Sequence, residues 1–260
     1  MASPDCGHLS VRYPAGWIPN LAGPARSTRS RPPSTIRGVN RDDDHAGHRE
    51  QLVSYSNRLL ADGLAVGSAG NMSVRIADEV LITPSGIPYP DLDPADICVV
   101  DMAGAPRGSG EPSSETPMHL AVYAATPARA VVHTHSPEVV ALSAVCDELP
   151  AIHYAITGLG GPVRVARYTR FGSDGLAAAA VTALADRTAA ILGNHGAISY
   201  GASLAQAYDR ALLLEWLAQV HRLACSRGEP RILTGPELEE VTAEMRRRRY
   251  GERRGSRPGG

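Results

Sequence analysis

Two histidines one residue apart, His133 and His135, close the apolar run Ala130-Val131-Val132. In an extended strand, residues i and i+2 point to the same face, so this spacing confines the pair to a strand end where both rings converge on one point. Paired neutral imidazoles suit a borderline-soft cation such as zinc. Two other segments can complete the site: Glu115 in Pro112-Ser113-Ser114-Glu115, and His195 in Gly193-Asn194-His195-Gly196, directly after the apolar run Ala189-Ala190-Ile191-Leu192. A catalytic zinc takes about three protein ligands and keeps a position open, and His133, His135 and His195 supply three. Any one of them alone would be read as an ordinary histidine satisfied by hydrogen bonds. The H-x-H pair with a third histidine in a glycine-flanked turn points to a metal.

The rest of the chain alternates helical and extended patterns. Asp42-Asp43-Asp44 offers an N-cap and dipole-favourable acids to a helix running to about Ala61, with Leu52, Tyr55 and Leu59 at helical spacing and Gly63 as its stop. Short strands are predicted over Met72–Ile76, Val80–Thr83 and Ile97–Asp101, then a helix over Ser114–Ala125 with Ser114 as its N-cap. The strand of His133 and His135 follows, and a helix opened by Ser136-Pro137. Further strands are expected at Val163–Arg167 and Ala189–Leu192, and helices at Leu204–Ala224 and after Thr234-Gly235-Pro236-Glu237. This pattern fits one α/β domain with a sheet covered on both faces.

Three turns are rich in hydroxyls and glycine: Gly67-Ser68-Ala69-Gly70-Asn71, Thr83-Pro84-Ser85-Gly86, and Ser113-Ser114 at a helix start. Each alone is a routine turn or cap. Together their hydroxyls and backbone N–H groups can receive phosphate oxygens, which points to an anionic substrate. Glu115 by position alone favours the helix dipole; beside a metal it serves as ligand or general base.

Composition narrows the setting. With 43% hydrophobic but only 5% aromatic residues, the core must be mainly Ala, Val, Leu and Ile. Cys6, Cys98, Cys146 and Cys225 are scattered without a C-x-x-C, as expected of reduced thiols in the cytoplasm. No run of about 18 apolar residues predicts a membrane span, and no apolar N-terminal region predicts a signal peptide. The net charge of −1 hides two basic ends: six Arg against one Asp in residues 1–41, and seven Arg against one Glu in residues 246–257. With no basic stripe interleaved with aromatics, these ends are expected to be solvated tails rather than a nucleic-acid surface. Residues 1–41 read as a disordered basic extension and 251–260 as a flexible basic tail, around a domain at 42–250.

Gly67-Ser68-Ala69-Gly70-Asn71-Met72-Ser73-Val74-Arg75, Ile82 to Tyr89, Pro112 to Glu115, Val131 to His135 and Asn194-His195-Gly196 together resemble the class II aldolase/adducin family, in that family's order. Ala151-Ile152-His153-Tyr154, Phe171-Gly172 and Arg249-Tyr250-Gly251 extend the likeness, which covers roughly residues 45–251. The resemblance implies a single α/β domain whose central, largely antiparallel sheet carries helices on both faces. It also implies zinc on His133, His135 and His195, with Glu115 as a ligand displaced by substrate and as the group that moves the proton at the nucleophilic carbon. Ser68, Gly70, Asn71, Ser85, Gly86, Ser113 and Ser114 would cradle the phosphate. Tyr154 would protonate the aldehyde oxygen across a subunit boundary of a homotetramer, and Tyr250 would help close the site. The implied reaction is cleavage of a ketose 1-phosphate of the L-fuculose 1-phosphate type to dihydroxyacetone phosphate and an aldehyde, through a metal-stabilised enediolate. Pentulose-phosphate 4-epimerases, 5-deoxyribulose-phosphate aldolases, methylthioribulose-phosphate dehydratases and decarboxylases share the scaffold. Adducin-like interaction modules have lost the ligands that this chain keeps.

Overall fold

A computed structural model of the chain describes residues 41–248, with side chains from residue 45. The expected extension up to residue 40, the expected tail and Tyr250 lie outside the described residues. In chain order the elements are α1 (Arg41–Ala61), β1 (Asn71–Ile76), β2 (Glu79–Ile82), β3 (Cys98–Asp101), α2 (Thr116–Ala125), β4 (Ala130–Thr134), α3 (Pro137–Ser143) and β5 (Glu148–Leu149). They continue with β6 (Val163–Ala166), α4 (Asp174–Ala183), β7 (Ala189–Leu192), β8 (Gly196–Gly201), α5 (Leu204–Cys225) and α6 (Gly235–Arg247). α1 includes Arg41, which the composition places in the extension, and Gly63 follows the helix with φ +69° as its stop.

A run that is apolar at consecutive positions, rather than at alternate ones, must be covered on both faces. β4 opens with such a run, Ala130-Val131-Val132, and is buried along its whole length. It lies inside an eight-stranded sheet of order β3-β2-β1-β4-β8-β7-β6-β5. Every neighbouring pair is antiparallel except β6 and β7, which run parallel with α4 as their crossover. Val131 points to the face carrying α2 and α4, where it packs with Met118, Val122, Ala177 and Ala180. Ala130 and Val132 point to the other face, against Leu52 and Leu59 of α1 and Ala207 and Tyr208 of α5. α3 and the middle of α5 cover the β5 end of the sheet, around Leu149, Val163 and Leu217. Each fully buried Leu, Ile or Val here contributes about 1.5–3 kcal/mol. Among the described residues no helix is long and apolar enough to cross a membrane.

Two central pieces carried no clear sequence signal. β8 is Gly-Ala-Ile-Ser-Tyr-Gly, with a serine in its middle and a glycine at each end. Ser199 is nevertheless buried, because its hydroxyl donates to Ala207 O at 2.8 Å. α4 is an alanine run whose lack of polar contrast hides its periodicity; the small side chains let it lie close against α2.

Candidate metal centre and substrate cavity

Strand register assembles the site. Asn71 and Ser73 of β1 pair directly with His133 and Val131 of β4, so these four side chains share the sheet face under α2. His133 also sits opposite Ile198 of β8, and its Nδ1 donates to Ala197 O at 2.8 Å. That bond fixes the tautomer and leaves the Nε2 lone pair free. His135 lies one residue beyond the strand, pinned where its N–H donates to Leu64 O at 2.9 Å. His195 sits in the β7–β8 turn. Asn194 makes that turn at φ +52°, and its N–H donates to Ser143 Oγ at 2.9 Å.

Glu115 is the N-cap residue of α2, and its side chain caps nothing. The expected helix start at Ser114 is therefore displaced: Thr116 begins the helix, Thr116 Oγ1 bonds Ser113 O at 2.6 Å, and Ser113 Oγ accepts from Glu115 N–H at 3.3 Å. Freed from capping, the Glu115 carboxylate turns toward the histidines. Its Oε2 lies 2.9 Å from His133 Nε2 and accepts from Asn71 Nδ2 at 3.0 Å; its Oε1 lies 3.3 Å from His195 Nε2. His133 Nε2 and His135 Nε2 are 2.9 Å apart, and the three rings meet in T-shaped pairs with centroids 4.7–4.9 Å apart.

These contacts test whether a metal fits. One ligand atom from each of Glu115, His133, His135 and His195 lies within 4.8 Å of the others. Ligand atoms on a common tetrahedral zinc stand about 3.3 Å apart, close to the separations seen. Glu115 Oε1 is buried without a hydrogen-bond partner. Lone pairs of a carboxylate and an imidazole facing each other at 2.9 Å need positive charge between them, and three nitrogens with one carboxylate oxygen are a donor set for a divalent ion. The residues fit a metal. Burial by itself would push the Glu115 carboxyl up; His133, Asn71 and His195 outweigh it and hold the group far below the usual carboxylate range, so Glu115 is ionised. Burial, then His133 and His195, push His135 down to about 3, with Glu115 pulling the other way, and His195 is lowered chiefly by burial. Lone pairs on these two rings are thus available at neutral pH.

Glu115, His135 and His195 line the floor of a cavity of about 490 Å³, within the range of small-molecule sites, and His133 is fully buried behind them. All three turns reach it: Ser68, Gly70 and Asn71; Ser85 and Gly86; Ser113 and Ser114. Gly70, at φ +81°, must be glycine for a second reason, since a Cβ there would stand 2.8 Å from His133 O. Tyr89 secures the same turn by donating to Gly70 O at 2.7 Å. The other two turns are stitched together by Ser113 N–H to Thr83 O and Ser85 N–H to Glu111 O. Asn71 has a dual position: one amide hydrogen is committed to Glu115, leaving the other for the cavity. Tyr154 is 48% exposed, stacked on His153 and not among the cavity-lining residues.

Tyr168 and Thr169, which carry no sequence signal, also line the cavity, as do Asn194 and Phe171, which belong to the matched motifs but have no role from sequence. It also gave no role to His119, which is fully buried behind Asn71. The signal for His119 was its spacing, one helical turn after Glu115 on the same helix face.

Residues 50–222 match the model of the class II aldolase and adducin N-terminal domain. The chain is 36% identical over 201 residues to a 5-deoxy-D-ribulose 1-phosphate aldolase of Bacillus thuringiensis, covering 76% of this chain and 94% of that enzyme. It is 38% identical over 199 residues to the L-fuculose phosphate aldolase of Escherichia coli K12, covering 75% and 93%. A solved L-fuculose 1-phosphate aldolase superposes with a TM-score of 0.74 at 34% identity, over 76% of this chain and 95% of that one. By sequence and by fold the chain belongs to the class II aldolase/adducin family, and it is one of that family's carbon–carbon lyases.

Proposed function

We propose that the chain cleaves a ketose 1-phosphate of the L-fuculose 1-phosphate type to dihydroxyacetone phosphate and an aldehyde by retro-aldol chemistry, with zinc as its metal. One observation carries the reading: Glu115, His135 and His195, clustered with the buried His133, share a single cavity with three turns suited to a phosphate. In this reading the three histidines, with Glu115, hold the ion, which supplies Lewis acidity to the substrate's oxygens and stabilises the charge that develops as the carbon–carbon bond breaks. Ser68, Asn71, Ser85, Ser113 and Ser114, with the N–H groups of Gly70 and Gly86, receive the phosphate. Glu115, ionised and with Oε1 unpartnered, moves the proton at the nucleophilic carbon.

Tyr154, which does not line its own cavity, would protonate the aldehyde oxygen in the cavity of a neighbouring subunit of a homotetramer. Tyr250 helps close the site. The substrate is a free sugar phosphate in the cytoplasm, with neither nucleic acid nor membrane as partner.

The 36% identity to the Bacillus enzyme makes 5-deoxy-D-ribulose 1-phosphate the second candidate substrate. Zinc-loaded protein should release dihydroxyacetone phosphate from L-fuculose, rhamnulose or 5-deoxyribulose 1-phosphate, and a chelator should stop the release. No release from any of the three, alongside epimerisation of ribulose 5-phosphate, would sink the aldolase reading in favour of a 4-epimerase.

A further inference from the structure

Behind Asn71 runs a row of buried polar groups, His119, Ser73 and Tyr123, that the chemistry above leaves unused. Asn71 Oδ1 meets His119 Nε2 at 2.6 Å, His119 Nδ1 meets Ser73 Oγ at 2.7 Å, and Ser73 Oγ meets Tyr123 Oη at 2.8 Å. Ser73 and His119 are fully buried, and Tyr123 is 2% exposed. Every donor in the row can be assigned from its cavity end. An ionised carboxylate only accepts, so Asn71 gives its Nδ2–H to Glu115 and turns Oδ1 inward. A carbonyl oxygen only accepts, so His119 must carry its hydrogen on Nε2. Its Nδ1 is then a lone pair, so Ser73 donates to it. Ser73 has spent its single hydrogen, so Tyr123 donates to Ser73. One polarity runs unbroken from Tyr123 to Glu115.

We infer that His119 is a positioning residue: held as the Nε2–H tautomer by Ser73 and Tyr123, it locks the Asn71 amide so that Glu115 Oε2 is engaged and Oε1 is the oxygen left to exchange a proton. Without the His119 donor Asn71 Oδ1 would be buried with no partner, and the amide could turn away from Glu115 and loosen its hold on Oε2. His119 is fully buried with an amide oxygen and a hydroxyl, and no carboxylate, against its two ring nitrogens, so the ring is held neutral. The row lies between β1 and α2, whose side chains at 71, 73, 119 and 123 follow the two-residue period of a strand and the four-residue period of a helix. The catalytic part of this inference rests on the aldolase reading; the tautomer and the metal affinity do not.

Long-range ¹H–¹⁵N NMR of the metal-free and zinc-loaded full chain reads the tautomer directly, and it should show His119 protonated on Nε2 alone; protonation on Nδ1 overturns the inference. Two variants separate positioning from bulk. His119→Gln keeps a donor at the Nε2 position, whereas His119→Asn reaches only as far as Ser73. The Asn variant should lose about 10- to 100-fold in zinc affinity or in kcat at saturating zinc, with KM within about 3-fold, and the Gln variant should recover most of that loss. Equal losses in both, or no loss in the Asn variant, overturn the positioning role. Zinc affinity, read by chelator competition, and the tautomer need no substrate, so a failed aldolase assay would not obscure either result. If neither variant folds, the tautomer of the parent chain still decides.

Discussion

Gly196→Ala is expected to damage stability and metal binding together, through a single methyl group. A Cβ at Gly196 would stand 2.0 Å from Thr134 O and 3.4 Å from His133 Cε1, where Cβ contacts under 3.0 Å essentially never occur. The obstacle is a backbone carbonyl, and it cannot swing aside, because Thr134 is paired with Ala197 across β4 and β8. Relief requires the two strands to part by about 1 Å at this level, forfeiting one or two ladder hydrogen bonds of about 0.5–1.5 kcal/mol each. Overpacking strain adds about 1–3 kcal/mol, for a total of roughly 2–5 kcal/mol. In a domain of this size each kcal/mol shifts Tm by about 2–4 °C, so the metal-free variant should melt about 5–15 °C lower. The same displacement carries His195 away from His133, and ligand spacings of 2.9–3.3 Å do not survive a shift of that size. Zinc affinity should therefore fall by at least about 10-fold in a chelator competition. Gly47→Ala is the control. It lies within α1 with nothing within 4 Å of its Cβ, and should be neutral or stabilising by up to about 1 kcal/mol. A Gly196→Ala protein that melts within about 2 °C of the parent and binds zinc equally well would refute the steric argument.

Three further predictions follow from the same geometry. Glu115→Gln should keep its zinc on the three histidines yet lose about 10²–10⁴ in kcat, and unchanged turnover would remove Glu115 from the proton transfer. Stripping the metal should lower stability by the linkage term, about 4 kcal/mol where free zinc had stood at 1,000 times its Kd; a melting temperature indifferent to chelator would mean that nothing binds the cluster. Glu215 offers a test away from the site. Its carboxylate accepts the N–H groups of Glu138 and Val139 at the start of α3, both at 3.1 Å, so Glu215→Ala should cost about 1–3 kcal/mol in urea unfolding with zinc affinity unchanged. A coupled loss of zinc would show that α3 bears on the metal cluster.

What could be read from the sequence depended on how local the signal was. His133 and His135 announce themselves because a strand imposes a two-residue period, and β7 because four consecutive apolar residues need burial on both faces. β8 lies between those two strands and stayed hidden: Gly196 answers to Thr134 O, more than sixty positions away, and Gly201 to the backbone at the start of α5, and neither contact leaves an apolar period. Ser114 was mistaken for the cap because hydroxyl residues before an apolar helix usually cap it. Here the backbone turn through Ser113 leaves that role to Glu115, whose side chain is drawn off by the histidines. His119 has only its spacing from Glu115 to mark it, since its partners Asn71 and Ser73 lie more than forty positions away.

The cluster is thus a property of register more than of the histidines themselves. Asn71 opposes His133 and Ser73 opposes Val131, while His133 opposes Ile198. A slip of one residue between β1 and β4 would turn Asn71 and Ser73 to the α1 and α5 face, among Met72's present neighbours, and bring Met72 under α2. Glu115 would then lose the amide that holds Oε2, and His119 both its acceptor and its donor, although every ligand would remain in the chain. The apolar alternation of β1 forbids that slip, because Met72 and Val74 are buried against Leu52 and Leu59 on the far face. The packing that stabilises one face of the sheet is therefore what aims the polar groups on the other.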